Sequence, residues 1–181
     1  MRKTRLVLPG LIVTVVVVLD LVTKSWALRT LSGGRSIEAL GGLLPLNLTF
    51  NRGAAFGLTI GDDPRWFFIP VTIAAVAFLV LMIWQARPGE DGRTVAAALV
   101  LGGALGNLYD RVRWDTGVVD FIGPLDLGFM DWPIFNVADS AITCGAVLLA
   151  GSFLAEDLRN RRGAGEAGGE EPEPADPVRD A

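Results

Sequence analysis

The sequence predicts a mainly α integral membrane protein, a four-helix bundle carrying a small β-sheet on its outer face. Three observations lead to that class. Of the 181 residues 51% are apolar, and the mean hydropathy is +0.44, higher than a soluble domain of this size would show. Four apolar stretches follow one another along the chain with charged residues between them. Basic residues gather at alternate ends of those stretches, as the positive-inside rule expects.

The first span, about 6–28, is apolar apart from Asp20 and Lys24. Arg2, Lys3 and Arg5 ahead of a Val/Leu run are like the start of a secretory signal. No small-residue cleavage site follows, so the segment reads as a retained helix. Residues 44–50 alternate apolar and polar, as a half-buried strand would. The second span, about 66–86, has no charge. The third, 94–109, is short and rich in Ala and Gly, and its Gly102 and Gly106 have the small-xxx-small spacing of closely packed helices. Residues 118–122 and 125–130 read as a strand pair turned at Gly123-Pro124. The outer β segments are therefore expected at about 44–51 and 118–130. The fourth span, about 134–155, contains Asp139.

Residues 1–162 thus form one membrane domain. The remaining 163–181 carry six acids and a single base, Arg179, and read as a disordered acidic cytoplasmic tail. Without them the chain has 15 basic and 14 acidic residues, so the low pI describes the tail and not a working surface. Arg2, Lys3 and Arg5, the Arg87 and Arg93 turn, and Arg159, Arg161 and Arg162 fall on one side, expected to be cytoplasmic along with both termini. The longer segments 29–65 and 111–133 then lie outside.

Histidine is absent, which excludes a Ser-His-Asp triad, a Cys-His pair and an HExxH zinc site. The single cysteine, Cys144, permits no disulfide and is expected as a small core residue. No cofactor, metal or nucleic acid is expected.

Charges inside a bilayer cost about 2.5–3.5 kcal/mol each on insertion scales, so each needs a reason. Asp20 lies roughly 20 Å along its helix from the inner end, and Lys24 follows one turn later on the same face. Asn136, Asp139 and Ser140 fall in the first turns of the fourth helix, and Asn107, Asp110 and Arg111 at the outer end of the third. Asp120 follows on a strand. Polar groups therefore converge at one depth. Plainer readings exist for several: Asp20 with Lys24 as a register-fixing pair, Asn107 and Asn136 as inter-helix hydrogen bonding, Asp110 with Arg111 as an end-of-helix pair, and Asp115, Asp126 and Asp131 as solvated loop acids. Asp139 has no base within four positions, so it needs a partner across the bundle or a proton.

Two carboxylates held within a few ångströms share a proton, because both cannot ionise cheaply. One then activates water and the other protonates the carbonyl oxygen or leaving amine. Asp120 and Asp139 are the best candidates for such a catalytic pair, with a nearby Asn or Arg to polarise the carbonyl.

Five blocks, in order, resemble lipoprotein signal peptidase, also called signal peptidase II: Asp20-Leu-Val-Thr-Lys24, Asn51-Arg-Gly-Ala-Ala-Phe56, Gly102-Gly-Ala-Leu-Gly-Asn107-Leu-Tyr-Asp110-Arg111, Val118-Val-Asp120-Phe-Ile122 and Phe135-Asn136-Val-Ala-Asp139-Ser140. The resemblance implies an aspartic endopeptidase with an Asp120/Asp139 dyad, in the inner membrane of a bacterium. It implies cleavage of prolipoproteins just before a diacylglyceryl-modified cysteine, with the active site at the outer face and the enzyme a monomer in contact with membrane lipid. It further implies that Asn51, Asn107, Arg111 and Asn136 position substrate, that Asp20 and Lys24 support the site, and that residues 53–58 form a short flap helix on the outer face. Three rival readings are a Ser/Lys peptidase using Lys24 with Ser140 or Ser25, a small transporter or proton channel, and a non-catalytic assembly factor.

Overall fold

The computed structural model describes residues 2–53 and 63–167. In chain order they form α1 (Arg2–Thr30), β1 (Ser36–Ala39), a single 3-10 turn at Leu40–Gly42, β2 (Leu44–Asn51), α2 (Arg65–Gln85), α3 (Asp91–Arg113), β3 (Val118–Ile122), β4 (Leu125–Asp126), β5 (Asp131–Trp132) and α4 (Val137–Ala167).

Helix α1 contains a run of Val that helix propensity in water would disfavour. A medium without water reverses the preference, because a helix alone satisfies every backbone group within the segment. The hydroxyls of Thr14 and Thr23 donate to Gly10 O and Leu19 O at 2.8 and 2.7 Å, so neither is left unpaired. Large apolar side chains point outward on α1 (Val7, Leu8, Leu11), on α2 (Ile73, Phe78, Leu81) and on α4 (Val147, Leu148, Phe153), while Asp20, Lys24, Asn107, Asp110, Asp120 and Asn136 are buried. Apolar outside and polar inside is the inverse of a water-soluble domain. Among the described residues three helices are long and apolar enough to cross a membrane, at 6–30, 65–85 and 137–159, with mean hydropathies of 2.6, 2.6 and 1.7. The molecule is a membrane protein.

Helix α3 is the least apolar of the four because it packs against α1, α2 and α4, which take the lipid-facing positions. Its glycines allow the close approach: a Cβ at Gly102 would lie 2.8 Å from Val16 Cβ, and one at Gly103 would overlap the Ala138 carbonyl. In lipid such packing rests on dispersion contacts between backbones, so small residues are required. The helix is longer than the expected 94–109. Asp91 in the first turn and Arg111 and Arg113 in the last complement its dipole and extend it at both ends.

Strands β1, β2 and β3 form an antiparallel sheet in that order, with Thr49 opposite Asp120 and Asn51 opposite Val118. The expected pairing of 118–122 with 125–130 does not occur. Strand β3 pairs with β2, and β4 pairs with β5 as a separate two-stranded ribbon. Gly123 is drawn instead to β2, its N–H donating to Pro45 O at 2.8 Å. On its other side Ile122 exchanges backbone hydrogen bonds with Phe135 at 2.8 and 2.9 Å, which holds 134–136 extended and delays α4 to Val137. At its far end α4 continues to Ala167, with Asp157 and Arg161 paired at 2.8 Å across one turn. Residues 168–181 of the expected tail, and 54–58 of the expected flap with the 59–62 that follow it, lie outside the described residues.

A core of Ala27, Leu31 and Phe121 joins the C-terminal end of α1 to β3, with Trp26 edge-on to Phe121 at 6.3 Å. It fixes the strand that carries Asp120. Cys144, expected in the core, is exposed on α4. The fourth helix turns this position away from α3, where Gly145 takes the tight contact, a Cβ there lying 2.7 Å from Ala96 O.

Candidate active site

The N-terminal end of α4 is built as a cap. Asn136, the residue before the helix, accepts the Asp139 N–H on Oδ1 at 2.8 Å, and Asp139 Oδ2 accepts the Asn136 N–H at 3.2 Å. This is a capping box with Asp in the place usually held by Glu. A second acid reaches the same turn from another helix, Asp20 Oδ1 accepting the Ala138 N–H at 2.9 Å. Gly106 leaves room for it, since a Cβ there would stand 2.5 Å from Asp20 Oδ2.

From this cap a continuous chain of side-chain hydrogen bonds leads to β3. Asn136 Nδ2 donates to Asp120 Oδ1 at 2.6 Å, to Asn107 Oδ1 at 3.1 Å and to Val119 O at 3.3 Å. Asn107 Nδ2 donates to Asp139 Oδ1 at 2.7 Å. Two asparagines therefore bridge Asp120 to Asp139. Asn51, diagonal to Asp120 across the β2–β3 ladder, also donates to the Asp120 carboxylate. Burial pushes the Asp120 carboxyl up to about 7, helped by the charge of Asp139; hydrogen bonds from Asn51 and Asn136 and the charge of Lys24 oppose the rise.

Behind the pair sits Lys24. Its ammonium contacts Asp20 Oδ2 at 2.7 Å, Asp110 Oδ2 at 2.9 Å and Asn107 Oδ1 at 3.0 Å. Two carboxylates and one amide oxygen lie within 3.0 Å of the ammonium, so the charge is buried among groups that stabilise it. That geometry leaves nothing for a Ser/Lys dyad, and the Ser140 hydroxyl donates to Asn136 O at 3.0 Å.

Asp139 is half-buried and opens onto a groove of about 650 Å³. Asn51, Phe68, Arg111, Ser140, Thr143 and Cys144 line it, and the 132–135 segment forms a further wall. The Arg111 guanidinium lies over the Phe68 ring at 5.3 Å, within electrostatic reach of Asp139, Asp120 and Asp110. A buried acid bridged to a half-buried one, beside an apolar groove that Arg111 also lines, is an arrangement suited to general acid–base attack on an amide.

The model of one protein family, Peptidase_A8, signal peptidase (SPase) II, matches residues 12–155. The chain belongs to the signal peptidase II family. It is 40% identical over 149 residues to the lipoprotein signal peptidase of Syntrophomonas wolfei, covering 82% of this chain and 94% of that one. It is 44% identical over 146 residues to that of Pseudomonas aeruginosa, covering 79% and 86%. Two solved bacterial membrane enzymes, both obtained by the in meso method, share the fold. One has a TM-score of 0.75 at 33% identity over 93% of this chain and 94% of its own, the other 0.72 at 36% over 81% and 92%.

In this signal peptidase II the structure gathers Asp20, Lys24, Asn51, Asn107, Arg111, Asp120, Asn136 and Asp139 at one place. It also gathers Asp110, which the sequence placed among the converging polar groups but left open to a plain end-of-helix pairing with Arg111. Asp110 turns inward instead, to Lys24 and to the N–H of Val119 at 3.1 Å. Its position one turn from Asn107 was the available signal. The groove wall at 132–135 gave none, because an apolar loop reads the same whether it lines a site or not.

Proposed function

We propose that this peptidase is an aspartic endopeptidase that hydrolyses prolipoproteins immediately before a diacylglyceryl-modified cysteine, using Asp120, Asp139 and a water. The observation that carries the reading is the Asp120–Asn136–Asn107–Asp139 bridge beside the groove. Asp120, with its raised pKa, holds the proton of the pair, and Asp139 faces the groove, where it acts as the base. Asp139 takes a proton from water as the water oxygen attacks the carbonyl carbon, and Asp120 gives its proton to the carbonyl oxygen. As the tetrahedral intermediate collapses, Asp139 gives the proton it took from water to the leaving nitrogen, the C–N bond breaks, and Asp120 recovers its proton from the hydroxyl as the carbonyl re-forms. Arg111, Asn51 and the two asparagines of the bridge orient the substrate carbonyl and the carboxylates.

The four helices act as a membrane-spanning bundle with both termini in the cytoplasm of a bacterium and the dyad at the outer surface of its inner membrane. The basic residues beside both ends of the chain and in the α2–α3 turn support that orientation. An apolar signal segment enters the groove from the bilayer, and the lipid on the cysteine stays in the membrane. No metal or cofactor takes part in this scheme.

The test is cleavage of a diacylglyceryl-modified precursor by the purified chain in detergent micelles, with products read by mass spectrometry. A product whose first residue is the lipidated cysteine is expected. Cleavage elsewhere, or equal turnover of the unlipidated precursor, refutes the assignment.

A further inference from the structure

Asp20, Lys24 and Asp110 are 0%, 2% and 2% exposed and do not line the groove. Their bonds nevertheless all lead to the dyad. Asp20 grips Ala138 N–H, one residue before Asp139. Asp110 grips Val119 N–H, one residue before Asp120. Both carboxylates are tied to the single ammonium of Lys24, whose third partner, Asn107, donates to Asp139. Two segments far apart in sequence, β3 and the first turn of α4, are thus each held one residue upstream of their acid by carboxylates sharing one cation.

We propose that Lys24, with Asp20 and Asp110, forms a positioning clamp that sets the spacing and orientation of Asp120 and Asp139. The proposal rests on the dyad reading above and extends it to three residues that touch no substrate. A buried ion pair kept only for stability is replaceable by apolar groups at little cost. These carboxylates instead hold specific peptide N–H groups, so replacement changes where the dyad stands. The clamp therefore acts on turnover: a displacement of about 1 Å at a reacting group costs on the order of 100-fold.

Charge gives a second signature. Asp120 is faced by Lys24 and Asp20 of α1, Asp110 and Arg111 of α3, and Asp139 of α4, with the uncharged Asn51 on β2. Removing the cation in Lys24→Met favours the proton on Asp120 and moves the alkaline limb of the rate profile to higher pH. Asp110→Asn leaves the cation less neutralised and moves it to lower pH.

The experiment measures kcat, KM and the pH profile of cleavage of a lipidated precursor in micelles. Variants are Asp110→Asn, Asp110→Ala, Lys24→Met and Lys24→Arg, with Asp120→Asn as control. Expected are a loss of about 100-fold in kcat for Asp110→Ala with KM within about threefold, a milder loss for Asp110→Asn, which keeps an acceptor for Val119, and opposite shifts of the limb. Lys24→Arg keeps the charge but changes its reach, and is expected to lose kcat without moving the limb. If Lys24→Met does not accumulate, the Asp110 pair and Lys24→Arg decide. Raised KM at unchanged kcat, or intact variants with normal kcat and an unmoved limb, overturns the clamp. Retained turnover in Asp120→Asn overturns the dyad reading; loss there beside unaffected clamp variants overturns the clamp alone.

Discussion

Asn136 makes more bonds within the site than any other side chain described here, so its removal is the most informative single truncation. In Asn136→Ala the helix loses its cap, worth about 1 kcal/mol. The Asp120 carboxyl loses a 2.6 Å donor in a position of 1% exposure, where leaving a buried polar group unpaired costs about 1–3 kcal/mol. Together the folded state should lose about 2–4 kcal/mol, or roughly 4–16 °C in thermal midpoint at about 2–4 °C per kcal/mol. The lost hydrogen bond opposed the raised Asp120 pKa, so the alkaline limb of the activity profile should move to higher pH, and kcat should fall at least tenfold. Asn136→Ser separates the two effects: its hydroxyl still caps α4, but no amide bridges Asp120 to Asn107. It should regain about 1 kcal/mol of stability while kcat stays low. Thermal denaturation in micelles and the pH–rate profile measure both. An alanine variant with unchanged midpoint, or an unmoved limb at measurable activity, refutes the reasoning.

Wild-type kcat should decline as pH rises through about 7, where Asp120 gives up its proton. The same shift makes stability fall between about pH 4 and 7 and level off above, because across that range the folded chain keeps a proton that the unfolded chain releases; denaturation at several pH values checks the sign. Gly106→Ala should push Asp20 from Ala138 N–H and lower both the thermal midpoint and kcat, whereas Gly10→Ala, which meets nothing within 4 Å, should change neither. Chelation by EDTA should leave turnover unchanged, read in the same cleavage assay.

The sequence made some of this legible for a physical reason: a charge in an apolar run has few explanations. Asp20, Lys24 and Asp139 could be picked out on that ground, and the depth at which they converge followed from helix rise alone. The depth of Asp110 was legible but its partner was not, because an acid at a helix end beside an arginine has a local explanation that does not require Lys24, 86 positions away. The strand pairing failed for a similar cause. Gly123-Pro124 is a turn signal of local sequence, while β3 is claimed by β2 and by Phe135, which only the tertiary structure brings near. Cys144 was misplaced because small apolar residues suit either a core or a lipid-facing groove, and composition does not separate the two.

The most direct measurement compares turnover of a diacylglyceryl-modified precursor by the wild type with that of Asp120→Asn and Asp139→Asn, each shown to be folded by its thermal midpoint. The account predicts that either amide abolishes cleavage in a protein that still folds. Near-normal turnover by either variant contradicts it.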